Sequence, residues 1–415
     1  MDDKSSQKWQ KEPLKNILTS LESGSRPKGG TSGVTKGVPS LGGEHLTPDG
    51  GFSFQKVKFI PEDYFNNITK GKIKQEDILI VKDGATTGKT SYVNISFPYA
   101  QAAINEHVFI ARPNEKIIPR LLFYYLYSHM GQKQLKKNIS GSAQGGINRT
   151  ILDKIYVPFP DNKDIQIKIV NQIEKQFTRL DSAIKNLKDI KSKLELYRKS
   201  VLKAAFEGRL IDINQWMEKN ISEISEKIQY GLTSKSDFSY KGPKYLRITD
   251  IQNNKVDWEN VPYADAQHTY DKYKLYSGDL VFARTGASVG KSYLLKEIPE
   301  ESVFASYLIR VVPNKNLVSP DLLWFYFQSP MYWYYISRKK VGIGQPNVNG
   351  KVLSSMPIQI PEYLKEQNLL ANEIEARISV IEKLEETVDK SLKKAEMLKN
   401  SILKSAFEGK LVEEE

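Results

Sequence analysis

SVLKAAFEGRLI, residues 200–211, returns as SILKSAFEGKLV at residues 401–412. Eight of the twelve positions are identical, and the other four exchange Val for Ile, Ala for Ser, Arg for Lys and Ile for Val. The second copy begins 201 residues after the first in a chain of 415. That period is far too long for one solenoid unit and matches a whole domain plus its connector. The chain is therefore a tandem pseudo-dimer.

Working outward, nearly the same shift, 200 to 207 residues, recurs. DILIVKDGATTGK (77–89) matches DLVFARTGASVGK (279–291), ARPNEKIIPRLLFYYL (111–126) matches VVPNKNLVSPDLLWFYF (311–327), and QGGINRTIL (144–152) matches QPNVNGKVL (345–353). Trp9, Leu21 and Gly24 correspond to Trp216, Ile228 and Gly231. Between Gly24 and Asp77 the register drifts, as expected of a scaffold that carries one variable surface. In each half a stretch rich in Gly, Pro, Asn and aromatics holds short apolar runs such as ILIV (78–81) and LVFA (280–283), bounded by turn residues. These read as strands of a β-rich globular domain. The domains are expected over 1–160 and 212–361.

The stretches that follow, 161–211 and 362–415, have no Gly or Pro until the closing motif, apart from the flanking residues, and carry a helical period. Ile169, Ile173, Phe177, Leu180, Ile184, Leu187, Leu194, Tyr197 and Val201 step mostly by three and four, and Ile374, Ile378, Ile381, Val388, Leu392, Leu398 and Ile402 repeat the pattern. That is the seam of a coiled coil. A helix of about 45 residues would run about 68 Å. Its seam wants a mate, and the other copy is the obvious one. Gly208 and Gly409 are placed to stop the helices. The expected fold is α+β: two β-rich domains in tandem, separated by two long helices paired as an antiparallel coiled coil about a pseudo-two-fold.

Composition narrows the function. The formal charge is +12, from 61 Lys+Arg against 49 Asp+Glu, which suits a polyanionic partner. There is no cysteine, so disulfides, thiolate metal sites and thiol catalysis are excluded. The most apolar runs, LLFYYLY (121–127) and LLWFYF (322–327), fall far below the roughly 20 residues of a membrane span, and the start has no signal-peptide core. No membrane partner and a cytoplasmic location are expected.

GATTGKT (84–90) and GASVGKS (286–292) look like phosphate loops but have three residues, not four, between Gly and Gly-Lys. They read as tight strand-to-strand turns, with Gly84, Gly88, Gly286 and Gly290 supplying special dihedrals. Lys82, Lys89, Arg284 and Lys291 flank them, either to touch a phosphate backbone or as solvated loop charges. In QGGINR, Gln144 and Asn148 could read adenine, with Arg149 on phosphate; Gln345, Asn349 and Lys351 repeat the set. Gln144 and Asn148 recur unchanged as Gln345 and Asn349, which also fits a structural role, tying loop backbone. The non-matching loops 25–45 and 233–245, with Lys28, Lys36, Lys235 and Lys241, are better placed to read bases. The four histidines, His45, His107, His129 and His268, lack metal-ligand spacing. No methyltransferase, helicase or metal signature stands out, so no catalytic residue, metal or bound cofactor is assigned.

Two β-rich domains, each followed by a long helix and an AFEG(R/K)L ending, together with the G-A-(T/S)-x-G-K turn, resemble the DNA specificity subunit of type I restriction–modification systems. The resemblance covers essentially the whole chain. It implies a non-catalytic subunit whose two target recognition domains read a bipartite double-stranded DNA site. It also implies helices that dock two N6-adenine methyltransferase subunits, with restriction subunits joining for cleavage. S-adenosylmethionine, ATP and Mg²⁺ would then belong to those partners. Phe206, Glu207 and Leu210, repeated as Phe407, Glu408 and Leu411, are the expected docking surface. The alternatives are a recognition subunit of another multi-subunit restriction or methylation enzyme, and a coiled-coil scaffold that does not bind DNA.

Overall fold

The computed structural model describes residues 9–139, 145–252, 254–265, 269–339 and 347–412. The chain divides into two compact units, one made of residues up to 187 together with those from 390 onward, the other of residues 188–389. The closing motif at 401–412 thus packs with the first β-rich domain, at the far end of the sequence from it.

In the first unit ILIV forms the strand Ile78–Val81, buried along its whole length. A continuous apolar run is what a strand covered on both faces requires. Its side chains alternate: Ile78 and Ile80 enter a core with Leu121, Leu122 and Ile173, while Leu79 and Val81 face Leu46 and Ile104. The strand lies between Val108–Pro113 and Thr90–Tyr92, and Leu18–Ser23 completes an antiparallel sheet of four. A second sheet sets Val38–Leu41 between Lys58–Ile60 and, in parallel, Ala103–Ile104. YVPFP forms the strand Tyr156–Pro160, paired antiparallel with Trp9–Pro13. The helix Pro119–Tyr127 starts on a proline, as first turns tolerate, and Ser128 caps the next, His129–Lys137, by accepting from Gly131 N–H at 3.2 Å.

The second unit repeats the plan. Its sheet runs Ser225–Tyr230, Leu308–Pro313, Leu280–Ala283, Ser292–Leu294, and Trp216–Asn220 pairs with Pro357–Pro361. It adds a short hairpin, Ile251–Gln252 with Lys255–Val256.

The long helices are Lys163–Phe206 and Leu364–Phe407. Within the first unit Ile169 and Ile173 share a core with Ile402, Leu403, Ala406 and Phe407, and Lys399 bonds Asp181. Within the second, Leu202 and Phe206 share one with Ile374, Ile378 and Ile381. There Lys191 pairs with Asp389 at 2.6 Å and Arg198 with Glu385 at 3.0 Å and Glu382 at 3.4 Å. One number rises as the other falls, so the helices are antiparallel. The seam is narrower than expected: Tyr197 and Leu398 are 49% and 46% exposed. A single partner helix covers only one stripe, and the neighbouring Arg198 and Lys399 take the places facing it.

Both helices stop in the same way. Gly208 and Gly409 take φ of 70° and 72°, Arg209 N–H donates back to Ala204 O and Lys410 N–H to Ser405 O, each at 2.8 Å. The positive φ needs glycine, and the space over it is filled by the indoles of Trp216 and Trp9 respectively.

Candidate nucleic-acid interface

At one end of the sheet that holds Ile78–Val81, and of the sheet that holds Leu280–Ala283, three chain segments are knitted side by side. In the first unit Lys82 N–H donates to His107 O at 2.8 Å, and Lys82 O accepts from Ile147 N–H at 2.8 Å. Asp83 bridges Gly146. In the second unit Arg284 N–H donates to Tyr307 O and Val348 N–H to Arg284 O, both at 3.0 Å, and Thr285 bridges Asn347. The outer segment turns alike in both, through Val108 N–H to Asn105 O at 3.2 Å and Leu308 N–H to Ala305 O at 2.9 Å. The GATTGK turn and the QGGINR loop therefore meet, as do their second copies. Gly84 and Gly88, with Gly286 and Gly290, all have positive φ, and strands lie on either side of each turn, not the helix a phosphate loop would open.

The variable loops start beside this surface. Gly24 and Gly231 lie so near the opposite backbone that an added Cβ would sit 2.0 Å from Ile104 O and 2.2 Å from Ala305 O. From the loop after Gly24, Arg26 reaches Glu106 at 2.9 Å; Glu106 meets His107 Nε2 at 3.3 Å, and Asp83 Oδ1 lies 2.5 Å from His107 Nδ1. In the second unit the Arg284 guanidinium stacks on the Tyr230 ring at 4.8 Å, and Tyr230 Oη accepts from Gly350 N–H at 2.8 Å.

The candidate residues sort by how firmly they are held. Lys28, Lys36, Arg149, Lys235, Lys241, Lys291 and Lys351 are exposed. Lys82 Nζ donates to Glu106 O at 3.2 Å, and Lys89 Nζ to Leu46 O at 2.8 Å and Gly43 O at 3.4 Å, so these two brace loops. Asn148 Oδ1 accepts from Thr150 N–H and Asn349 Oδ1 from Val352 N–H, each at 2.9 Å; Asn349 caps the helix Gly350–Ser354. Backbone tying accounts for their recurrence. Lys291 lines a cavity of 910 Å³ with Arg198, Lys199 and Trp333. Gln144 and Gln345 lie outside the described residues. Among the described residues no group of three or more His, Asp or Glu is set to hold a metal ion, and no helix is long and apolar enough to cross a membrane.

The closing motif splits in two. Phe206 packs edge-on to Tyr326 and Phe407 to Tyr125, both at 5.1 Å and buried, with Leu210 and Leu411 against the same cores. Glu207 and Glu408 point outward. Arg209 beside Glu207, and Lys410 beside Glu408, hold their carboxyls below the usual range.

A family model described as the type I restriction modification DNA specificity domain matches residues 7–196 and again 213–394. The chain belongs to that family. The specificity subunit of the type I restriction enzyme EcoKI of Escherichia coli K12 is 24% identical over 382 residues, 88% of this chain and 80% of that protein. The MjaVIII specificity subunit of Methanocaldococcus jannaschii is also 24% identical, over 356 residues, 82% of this chain and 80% of its own. Among solved structures, a chain of a type I R-M system assembly superposes with a TM-score of 0.78 at 15% identity, covering 97% of this chain and 98% of that one. The HsdS subunit of Thermoanaerobacter tengcongensis gives 0.56, also at 15% identity, over 97% of both chains. The likeness to these structures is one of fold, and the tandem arrangement is this chain's own double match to the specificity-domain model. The family's role is sequence specificity, with catalysis lying in other subunits.

Sequence reading did not single out Asp83, Thr285 or Tyr307, which stand with His107 at matched places on this surface. A difference was visible in the sequence: Asp83 faces Thr285 in the matched motif, as Thr87 faces Val289.

Proposed function

We propose that this chain is the reading subunit of a type I restriction–modification complex, with each β-rich domain reading one half of a bipartite double-stranded DNA target. The observation that carries the proposal is the knitted surface built twice on the same backbone and dressed with different side chains. Exposed cations on the variable loops and on the knitted loop, Lys28, Lys36 and Arg149 in one unit and Lys235, Lys241 and Lys351 in the other, suit phosphate contacts that position without specifying. The helices would dock two copies of a methyltransferase subunit, one per repeat, and restriction subunits would join them. S-adenosylmethionine, ATP and Mg²⁺ would be bound by those partners, and the complex would act on cytoplasmic DNA.

A docking face repeated twice is available on the helices. Leu196 and Met397, 201 residues apart, are 65% and 64% exposed, and Tyr197 and Leu398 beside them are half exposed. Glu207 and Glu408 extend each copy with an exposed carboxylate. The test is to express the chain with its methyltransferase partner in an unmodified host and sequence the methylome. A two-part motif with an unread gap is expected; adenine methylation without sequence preference would overturn the reading.

A further inference from the structure

We propose that Asp83 with His107 in the first unit, and Thr285 with Tyr307 in the second, are base-reading pairs that set the difference between the two half-sites. The inference rests on the DNA-reading role above and narrows it to named side chains. Backbone equivalence is fixed by the hydrogen bonds already described: Lys82 N–H to His107 O answers Arg284 N–H to Tyr307 O, and the Asp83–Gly146 bridge answers Thr285–Asn347. At such matched places the side chains change character. Asp83 and Thr285 interrupt DILIVKDGATTGK and DLVFARTGASVGK immediately before the shared Gly-Ala. A scaffold that only needed a turn would have no use for a carboxylate in one copy and a hydroxyl in the other.

All four residues are accessible. The Asp83 and His107 side chains are 31% and 44% exposed, Tyr307 is 64% exposed as a residue, and Thr285 is partly exposed. They stand among groups already engaged in holding the loops, since Lys82, Lys89 and Asn148 are tied to backbone. In the first unit His107 fixes the Asp83 carboxylate in place. A pre-oriented side chain loses little freedom on binding, which favours specific contact.

The chemistry predicts what each pair prefers. A carboxylate only accepts hydrogen bonds, so Asp83 favours a base presenting an exocyclic amino group in the major groove, cytosine N4 or adenine N6, and disfavours guanine O6 or thymine O4. Thr285 can donate as well as accept and also offers a methyl group to a thymine methyl, and Tyr307 adds an apolar ring with a hydroxyl.

The experiment uses the full chain in complex with its methyltransferase subunits. The double variant Asp83→Thr, His107→Tyr should shift the preference at one or two base pairs of a single half-site by roughly ten- to a hundredfold. The gap and the other half-site should be unchanged. The reciprocal variant Thr285→Asp, Tyr307→His should act on the other half-site alone. A methylome identical to wild type in both would overturn the proposal. If a variant assembles yet modifies nothing, selection from targets randomised in one half-site decides: a new preferred base supports the assignment, and equal loss over the pool overturns it. Asp83→Asn, which keeps the size and adds a donor, covers a double variant that does not assemble; it should relax the same position, and unaltered preference counts against the pair. A wild-type complex with no preference at all would sink the underlying reading, whereas a wild-type motif untouched by these variants sinks only this one.

Discussion

Two glutamines do more for this fold than their sequence context suggests. Gln166 and Gln367 sit in the first turns of the long helices, and both are fully buried. Gln166 Oε1 accepts from Ile118 N–H at 2.9 Å, while its Nε2 donates to Lys116 O and Pro160 O, each at 2.9 Å. Gln367 repeats this with Ser319 N–H at 2.8 Å, Leu317 O at 3.0 Å and Pro361 O at 2.9 Å. Each satisfies three backbone groups of the loop and strand beside which its helix begins, and so fixes helix to domain. Gln166→Leu should destabilise the first unit by about 3 kcal/mol or more, since each orphaned buried group costs roughly 1–3 kcal/mol; Gln367→Leu should do so in the second. Urea melts of the full chain, followed by tryptophan and by far-ultraviolet dichroism, would read this, and a loss below about 1 kcal/mol would mean water replaces the amide. Helical periodicity puts a glutamine on the wet face, so this role was not legible in sequence. Arg149→Ala should weaken DNA binding evenly over all sequences and lower the salt slope by about one, measured by titration at several salt concentrations.

At the level of elements, the strands and the helix stops could be read directly. ILIV and LVFA needed cover on both faces and received it, and Gly208 and Gly409 ended the helices as their residue type suggested. The helix seam was legible only in part. Periodicity marks apolar positions but does not say how wide a partner covers them, and a lone antiparallel helix leaves Leu196 and Tyr197, with Met397 and Leu398, toward solvent. If these doublets hold a methyltransferase subunit, Leu196→Glu with Met397→Glu should cut its affinity about tenfold to a hundredfold per site, because burying one leucine-sized side chain is worth about 1.5–3 kcal/mol. Unfolding midpoints should stay put. Glu207→Lys with Glu408→Lys should weaken capture less, as exposed pairs contribute little. Co-purification stoichiometry checks both, and two partners bound at wild-type affinity in the leucine–methionine variant would place the docking face elsewhere.

For the molecule as a whole, duplication was plain in the sequence, but which residues complete which half was not. Chain order suggests that the closing motif at 401–412 belongs to the second domain beside it. It packs in the first unit instead: Ile402, Leu403, Ala406 and Phe407 join the core built by Leu121, Tyr125 and Ile173, and Trp9 covers Gly409. The middle copy serves the second unit, through Leu202, Ala205 and Phe206 with Leu322 and Tyr326. Sequence adjacency carries no information about this, because antiparallel pairing of the helices returns the last residues to the first domain. The assignment predicts where damage will appear. Phe407→Ala removes a buried ring and should cost about 3–5 kcal/mol, all of it from the unit containing residues 78–127 rather than from the nearer 280–327. Phe206→Ala should reverse the pattern. Hydrogen exchange read by mass spectrometry resolves the two: faster exchange over 108–127 with 308–327 unchanged is expected for Phe407→Ala. Loss of protection over 308–327 instead would show that the closing copy stabilises the domain it follows.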